Sequence, residues 1–177
     1  MIYGIGDSNL EFEGYGYAGA LADLGVYGGS IFYGPGRSAR EIRLAMQHRT
    51  LGGEWGPRIV DPKPVVLITV GINDVIQDEW PWDVVRHVDG IMDIARRRFE
   101  TEPRFVWMPS HPTGHWKIEA LRLWMRAVAW FRGIQLINLR EWRWAVAQVS
   151  KIDPWHLQRP SYETLAIKIK WDIRDWK

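Results

Sequence analysis

The chain carries the side chains needed for acyl transfer in four short blocks. "GIGDSN" (Gly4 to Asn9) sets Ser8 between an aspartate and an asparagine, just past two glycines. "YGPGRS" (Tyr33 to Ser38) offers backbone N–H groups with no side chain in the way. "GIND" (Gly71 to Asp74) offers the Asn73 amide, and "DPWH" (Asp153 to His156) a carboxylate and an imidazole with two residues between them. A hydroxyl, a bare backbone donor, an amide, a carboxylate and an imidazole can attack a carbonyl, carry its proton and hold the oxyanion. Ser8 alone has a second reading, as a turn serine whose hydroxyl bonds nearby backbone. Only the other blocks favour a nucleophile.

Strands must bring these blocks together. "PVVLITV" (Pro64 to Val70) and "RFVWMP" (Arg104 to Pro109) are continuous apolar runs, and "IQLINL" (Ile134 to Leu139) is a shorter one. Runs apolar on both faces suit buried parallel strands. "IYGIG" is a weaker strand signal, and "VYGGSIFYG" is ambiguous because of its internal glycines. Helical spacing links the runs. Val84, Val88, Ile91, Ala95 and Phe99 form one stripe, and Leu165, Ile169 and Ile173 another. Trp116 to Phe131 is apolar nearly all round, which predicts a well-covered helix. Ser38 reads as the cap of "SAREIRLAMQHR", and Ser161, after Pro160, as the cap of the last helix. The alternation predicts one α/β domain over residues 1–177: a three-layer α/β/α sandwich, flavodoxin-like, on a parallel sheet of about five strands. Ligands in such folds bind beyond the carboxyl ends of the strands, where the four blocks stand.

The four blocks, in this order and spread over nearly the whole chain, resemble those of the SGNH hydrolases, also called GDSL esterases and lipases. The resemblance implies a serine ester hydrolase with that fold, needing no metal or organic cofactor. Ser8 would attack the ester carbonyl, His156 would carry the proton, and Asp153 would orient the imidazole. The oxyanion hole would comprise the Ser8 N–H, a glycine N–H of the second block and the Asn73 amide. Gly36 is preferred for that glycine, because "GRSAREIRLA" reads as a glycine before a capped helix; Gly34 is the alternative. Asn9 stands where the family name has leucine.

Several other features take plainer readings. "GYGYAG" (Gly14 to Gly19) matches G-x-G-x-x-G but lacks a preceding strand and a following acid, so it reads as flexible backbone beside Ser8. In "HPTGH" (His111 to His115) proline and glycine break the helix that a two-histidine metal site would need, which leaves a position on the rim of the cleft. His48 and His87 fall on charged helical stretches and read as solvated. Asp7 reads as tightening the Ser8 turn, and Asp74 as a structural hydrogen-bond partner. Twelve tryptophans suggest mostly core. Core packing is the first reading of Trp80 and Trp82; these two and Trp155 could instead form an aromatic wall for a sugar ring or acyl chain.

Composition narrows the class further. Hydrophobic residues at 46% and charged residues at 25% fit a soluble globular chain. A net charge of +2 without a basic block argues against a nucleic-acid partner. The absence of cysteine excludes disulfides, thiolate metal sites and a cysteine nucleophile. No run reaches the ~18 apolar residues of a membrane span. The N-terminal residues do not read as a signal peptide, so the expectation is a soluble, cytoplasmic chain, with export or assembly into a particle left open. The expected partner is a small-molecule or carbohydrate ester. The short chain and its aromatic content favour small acyl groups. Thioester or lysophospholipid hydrolysis is the enzymatic alternative, and a non-catalytic glycan-binding module the non-enzymatic one. Oligomeric state is not legible.

Overall fold

Five parallel strands lie in the order β2-β1-β3-β4-β5. The computed structural model describes residues 1–11, 14–53, 55–108, 116–137 and 156–174. The strands are β1 (Ile2–Gly6), β2 (Tyr27–Tyr33), β3 (Val65–Thr69), β4 (Arg104–Trp107) and β5 (Gln135–Leu136). The described helices are α1 (Gly16–Asp23), α2 (Ala39–Leu51), α3 (Ile72–Ile76), α4 (Pro81–Arg96), α5 (Trp116–Arg132) and α6 (Arg159–Arg174).

Alternation along the strands builds two apolar layers, because successive side chains point to opposite faces. Tyr3, Ile5, Val66, Ile68, Phe105 and Trp107 pack with α2, α4 and α5. Ile2, Val65, Leu67, Val106 and Met108 face the other way, against α1 and α6. All residues of β1 and β3 are buried, as central strands require. β2 is an edge strand with alternating exposure, and its register against β1 shifts twice. The edge position and Gly28–Gly29 explain why "VYGGSIFYG" is ambiguous as a sequence. β5 is shorter than its apolar run suggests, and residues 138–139 of that run lie outside the described residues.

Helix starts follow local chemistry. Ser38 caps α2 through a capping box: its hydroxyl accepts from the Glu41 N–H, and the Glu41 carboxylate accepts from the Ser38 N–H at 2.8 Å. Ser38→Ala is expected to cost about 1 kcal/mol in urea denaturation. The last helix departs from expectation. α6 begins at Arg159, with Pro160 in its first turn and Ser161 buried inside it, and Gln158 accepts the Ser161 N–H at 3.0 Å. Proline needs no N–H partner in a first turn, so the helix starts before it rather than after it. Phe99 lies past the end of α4, yet it is buried edge-to-face on Tyr3.

The tryptophans depart further. Trp107 is buried, but Trp80, Trp82, Trp116, Trp124, Trp130 and Trp171, six of the eight described, are exposed. α5 is therefore not the covered helix its composition predicts. His87 also differs from a solvated residue: it is half-buried, and among the described residues its Nδ1 has no hydrogen-bond partner. Burial and the nearby Arg43 hold its pKa below the usual histidine value.

Candidate functional site

Strand order 2-1-3-4-5 places the topological switch point between β1 and β3, where ligands bind in such sheets. Ser8 follows β1 there. Leu10 N–H donates to the Asp7 carbonyl at 3.0 Å, and Asn9 N–H to Asp7 Oδ1 at 2.9 Å. An Asx-type turn thus presents the partly exposed Ser8. His156 arrives from the start of the α6 segment, and its Nε2 lies 2.8 Å from Ser8 Oγ. The two residues are 148 positions apart in the chain. Leu157, the next residue, is buried in the core layer under α1 and α6.

Asn73 sits in the first turn of α3. Its Nδ2 donates to Asp7 Oδ2 at 3.2 Å, which leaves the second amide hydrogen for another acceptor. Gly71 opens that helix at φ +130°, and a Cβ there would stand 2.8 Å from Leu121 Cδ2. The positive φ is what calls for glycine, and a Cβ would in addition push the Leu121 methyl aside. The neighbouring Asp74 is buried and accepts the Ala39 N–H through both oxygens, at 2.9 and 3.1 Å. That contact ties the start of α2 to the Asn73 turn.

The two candidate glycines differ. Gly34 is buried and donates its N–H to the Gly6 carbonyl at 3.0 Å. Gly36 is exposed at φ +69°, and among the described residues its N–H has no partner. The Ser8 N–H is likewise without a partner among the described residues. Asp153 and Trp155 lie outside the described residues, as does "HPTGH". Trp80 and Trp82 are not core: Trp82 packs edge-to-face on Trp124, with ring centres 5.0 Å apart. Buried Lys117 pairs with Asp78, and its ammonium lies 6.0 Å from the Trp80 ring centre and 5.6 Å from that of Trp116.

Two contacts had no readable signal. Tyr162 donates to Asn9 Oδ1 at 3.4 Å and stacks edge-to-face on Tyr17. Asn9, the departure from the family name, is thereby buried against the base of α6. Asp7 adjoins Ser8 in sequence, but nothing there points to Asn73 as its partner.

The buried carboxyls of Asp7 and Asp74 hold protons unusually well. Burial pushes Asp7 up to about 7 against its hydrogen bonds from Asn9 and Asn73, and nearby Asp74 adds to the shift. Burial likewise pushes Asp74 up to about 7, opposed by the Ala39 N–H. The unfolded chain releases these protons near 3.8. The stability they contribute is therefore full below that value and is lost as pH rises through about 7. Asp7→Asn and Asp74→Asn should each flatten this fall, by up to about 1.4 kcal/mol per pH unit inside the window. Urea denaturation of all three proteins at several pH values reads the slopes, and parallel curves would refute the shifts.

A scan with protein-family models and a search of curated sequences each return no match. Solved structures do match. A member of the lipolytic protein G-D-S-L family from Veillonella parvula superposes with a TM-score of 0.76 at 15% identity, over 98% of both chains. The chain has the SGNH hydrolase fold. A GDSL-like lipase from Bacteroides thetaiotaomicron gives 0.65 at 14% identity, over 98% of this chain and 87% of its own. The psychrotrophic esterase EstA from Pseudoalteromonas gives 0.64 at 13% identity, over 99% and 97%. Among the described residues of this SGNH-fold chain, no helix is long and apolar enough to cross a membrane. None of them form a group of three or more His, Cys, Asp or Glu that could hold a metal ion.

Proposed function

We propose that the chain is a serine ester hydrolase working through a Ser8 acyl-enzyme. The 2.8 Å contact between Ser8 Oγ and His156 Nε2, at the switch point of the sheet, carries this reading. With Nε2 unprotonated, it takes the Ser8 proton as Oγ bonds to the carbonyl carbon. The tetrahedral oxyanion is held by the N–H groups of Ser8 and Gly36 and by the Asn73 amide. Gly36 is assigned because the Gly34 N–H is already committed to Gly6. The C–O bond to the alcohol then breaks, and His156 returns its proton to the leaving oxygen. A water, deprotonated by His156, attacks the Ser8 ester; the bond from the acyl carbon to Oγ breaks, His156 returns the proton to Oγ, and the acid leaves. Asp153, three residues before His156, takes the orienting role from its place in the sequence. Asp7 holds one hydrogen of the Asn73 amide so that the other faces the oxyanion.

The substrate class is a small acyl ester, with an acetylated carbohydrate as the favoured form. Exposed Trp80, with the Lys117 ammonium beside its ring, offers a surface on which a sugar ring can stack. Hydrolysis of p-nitrophenyl acetate is set against butyrate and laurate esters, alongside labelling by a fluorophosphonate. Turnover falling with acyl length and label on Ser8 are expected. Preference for laurate would move the substrate to long acyl chains. Neither turnover nor label would leave a binding module on a hydrolase fold.

A further inference from the structure

We propose that two copies of this chain form a dimer through the outward face of α5. A helix apolar all round is normally buried. The inner face of α5 obeys this: Leu121 and Met125 are buried in the core. The outer face is apolar as well. Trp116, Leu123 and Trp130 recur every seven residues, Ala120 and Ala127 alternate with them, and Trp124 and Phe131 flank the row. At 3.6 residues per turn these seven share an arc of about 120° that holds no charge. The exposures are large: 61% for Trp116, 68% for Leu123, 80% for Trp130 and 77% for Phe131.

Size and shape both point to a second copy. At ~150–250 Å² per aromatic side chain, the face leaves on the order of 600 Å² of apolar surface in water. Monomers seldom expose more than a few hundred, and a standard interface takes about 800 Å² from each partner. Large and small residues alternate at heptad spacing, the pattern by which two helices interdigitate. An antiparallel pairing sets Trp130 of one copy against Ala120 of the second and Leu123 against Ala127. Two-fold symmetry repeats each contact, so the face is complementary to itself. Trp82, seated on Trp124, extends the contact onto α4.

Sedimentation equilibrium of the full chain tests this. The wild type is expected at twice the chain mass at about 10 μM. The double variant Leu123→Glu, Trp130→Glu is expected at the chain mass with unchanged circular dichroism, its dimer weakened at least ~30-fold. A cysteine-free background permits a second measurement that holds even if the glutamates disturb folding. Leu123→Cys and Ala127→Cys chains, mixed and oxidised, should cross-link to each other faster than either does to itself. A wild type at the chain mass overturns the proposal, and if it also floats with phosphatidylglycerol vesicles the face is a lipid contact instead. A dimer that survives the glutamates, or no preferential cross-linking, overturns it equally.

Discussion

The Ser8→Ala protein is expected to lose about 10⁴-fold or more in ester turnover while keeping its fold. The substitution removes one oxygen from a partly exposed turn residue, so it opens no core cavity. Its structural cost is the single hydrogen bond to His156. In the proposed mechanism its chemical cost is the whole covalent route. In that mechanism the remaining hole donors can still polarise a carbonyl, which leaves a residual rate above water. The kcat/KM on p-nitrophenyl acetate, fluorophosphonate labelling and circular dichroism together read the outcome. Turnover within tenfold of wild type would remove Ser8 from the mechanism.

Gly6→Ala is expected to destabilise the fold by about 3 kcal/mol and to lower turnover with it. Gly6 ends β1, two residues before Ser8. A methyl there would collide with Thr69 Oγ1, stand 2.8 Å from Leu10 Cβ, and meet the Thr69 carbonyl at 3.0 Å. Two of the three obstacles cannot swing aside, because one is backbone and the other is the Cβ of buried Leu10, whose position the backbone sets. Relief must come from β1 moving away from β3 or from the Ser8 turn shifting. Either would pull Ser8 from His156, and about 1 Å of misplacement can cost 10²-fold in rate. Urea denaturation and turnover on the same protein check both parts. A variant as stable as wild type within about 0.5 kcal/mol would show that the turn adapts.

Much of this architecture is legible in the chain. β3 and β4 are apolar on both faces because both are covered by helices, and an apolar run records that directly. The α2 cap is legible because Ser38 and Glu41 act within four residues. Ser161 misleads because the same rule, applied at α6, competes with a proline that tolerates the first turn. α5 misleads for another reason: composition reports how apolar a helix is, not which of its faces the chain covers. The exposed Trp80 and Trp82 fail as core for the same cause.

The sequence by itself determined the order of elements and the types of group after each strand. Both are local properties, written in periodicity and short blocks. Only the tertiary structure decided which groups meet. It sets His156 on Ser8 across 148 residues and binds Asn73 to Asp7 across 66. It commits the Gly34 N–H to Gly6 and leaves that of Gly36 without a partner among the described residues. It turns an apolar face of α5 to water. Contacts of this kind depend on sheet order and register, which parallel strands acquire only when distant runs pair, so no local pattern can carry them.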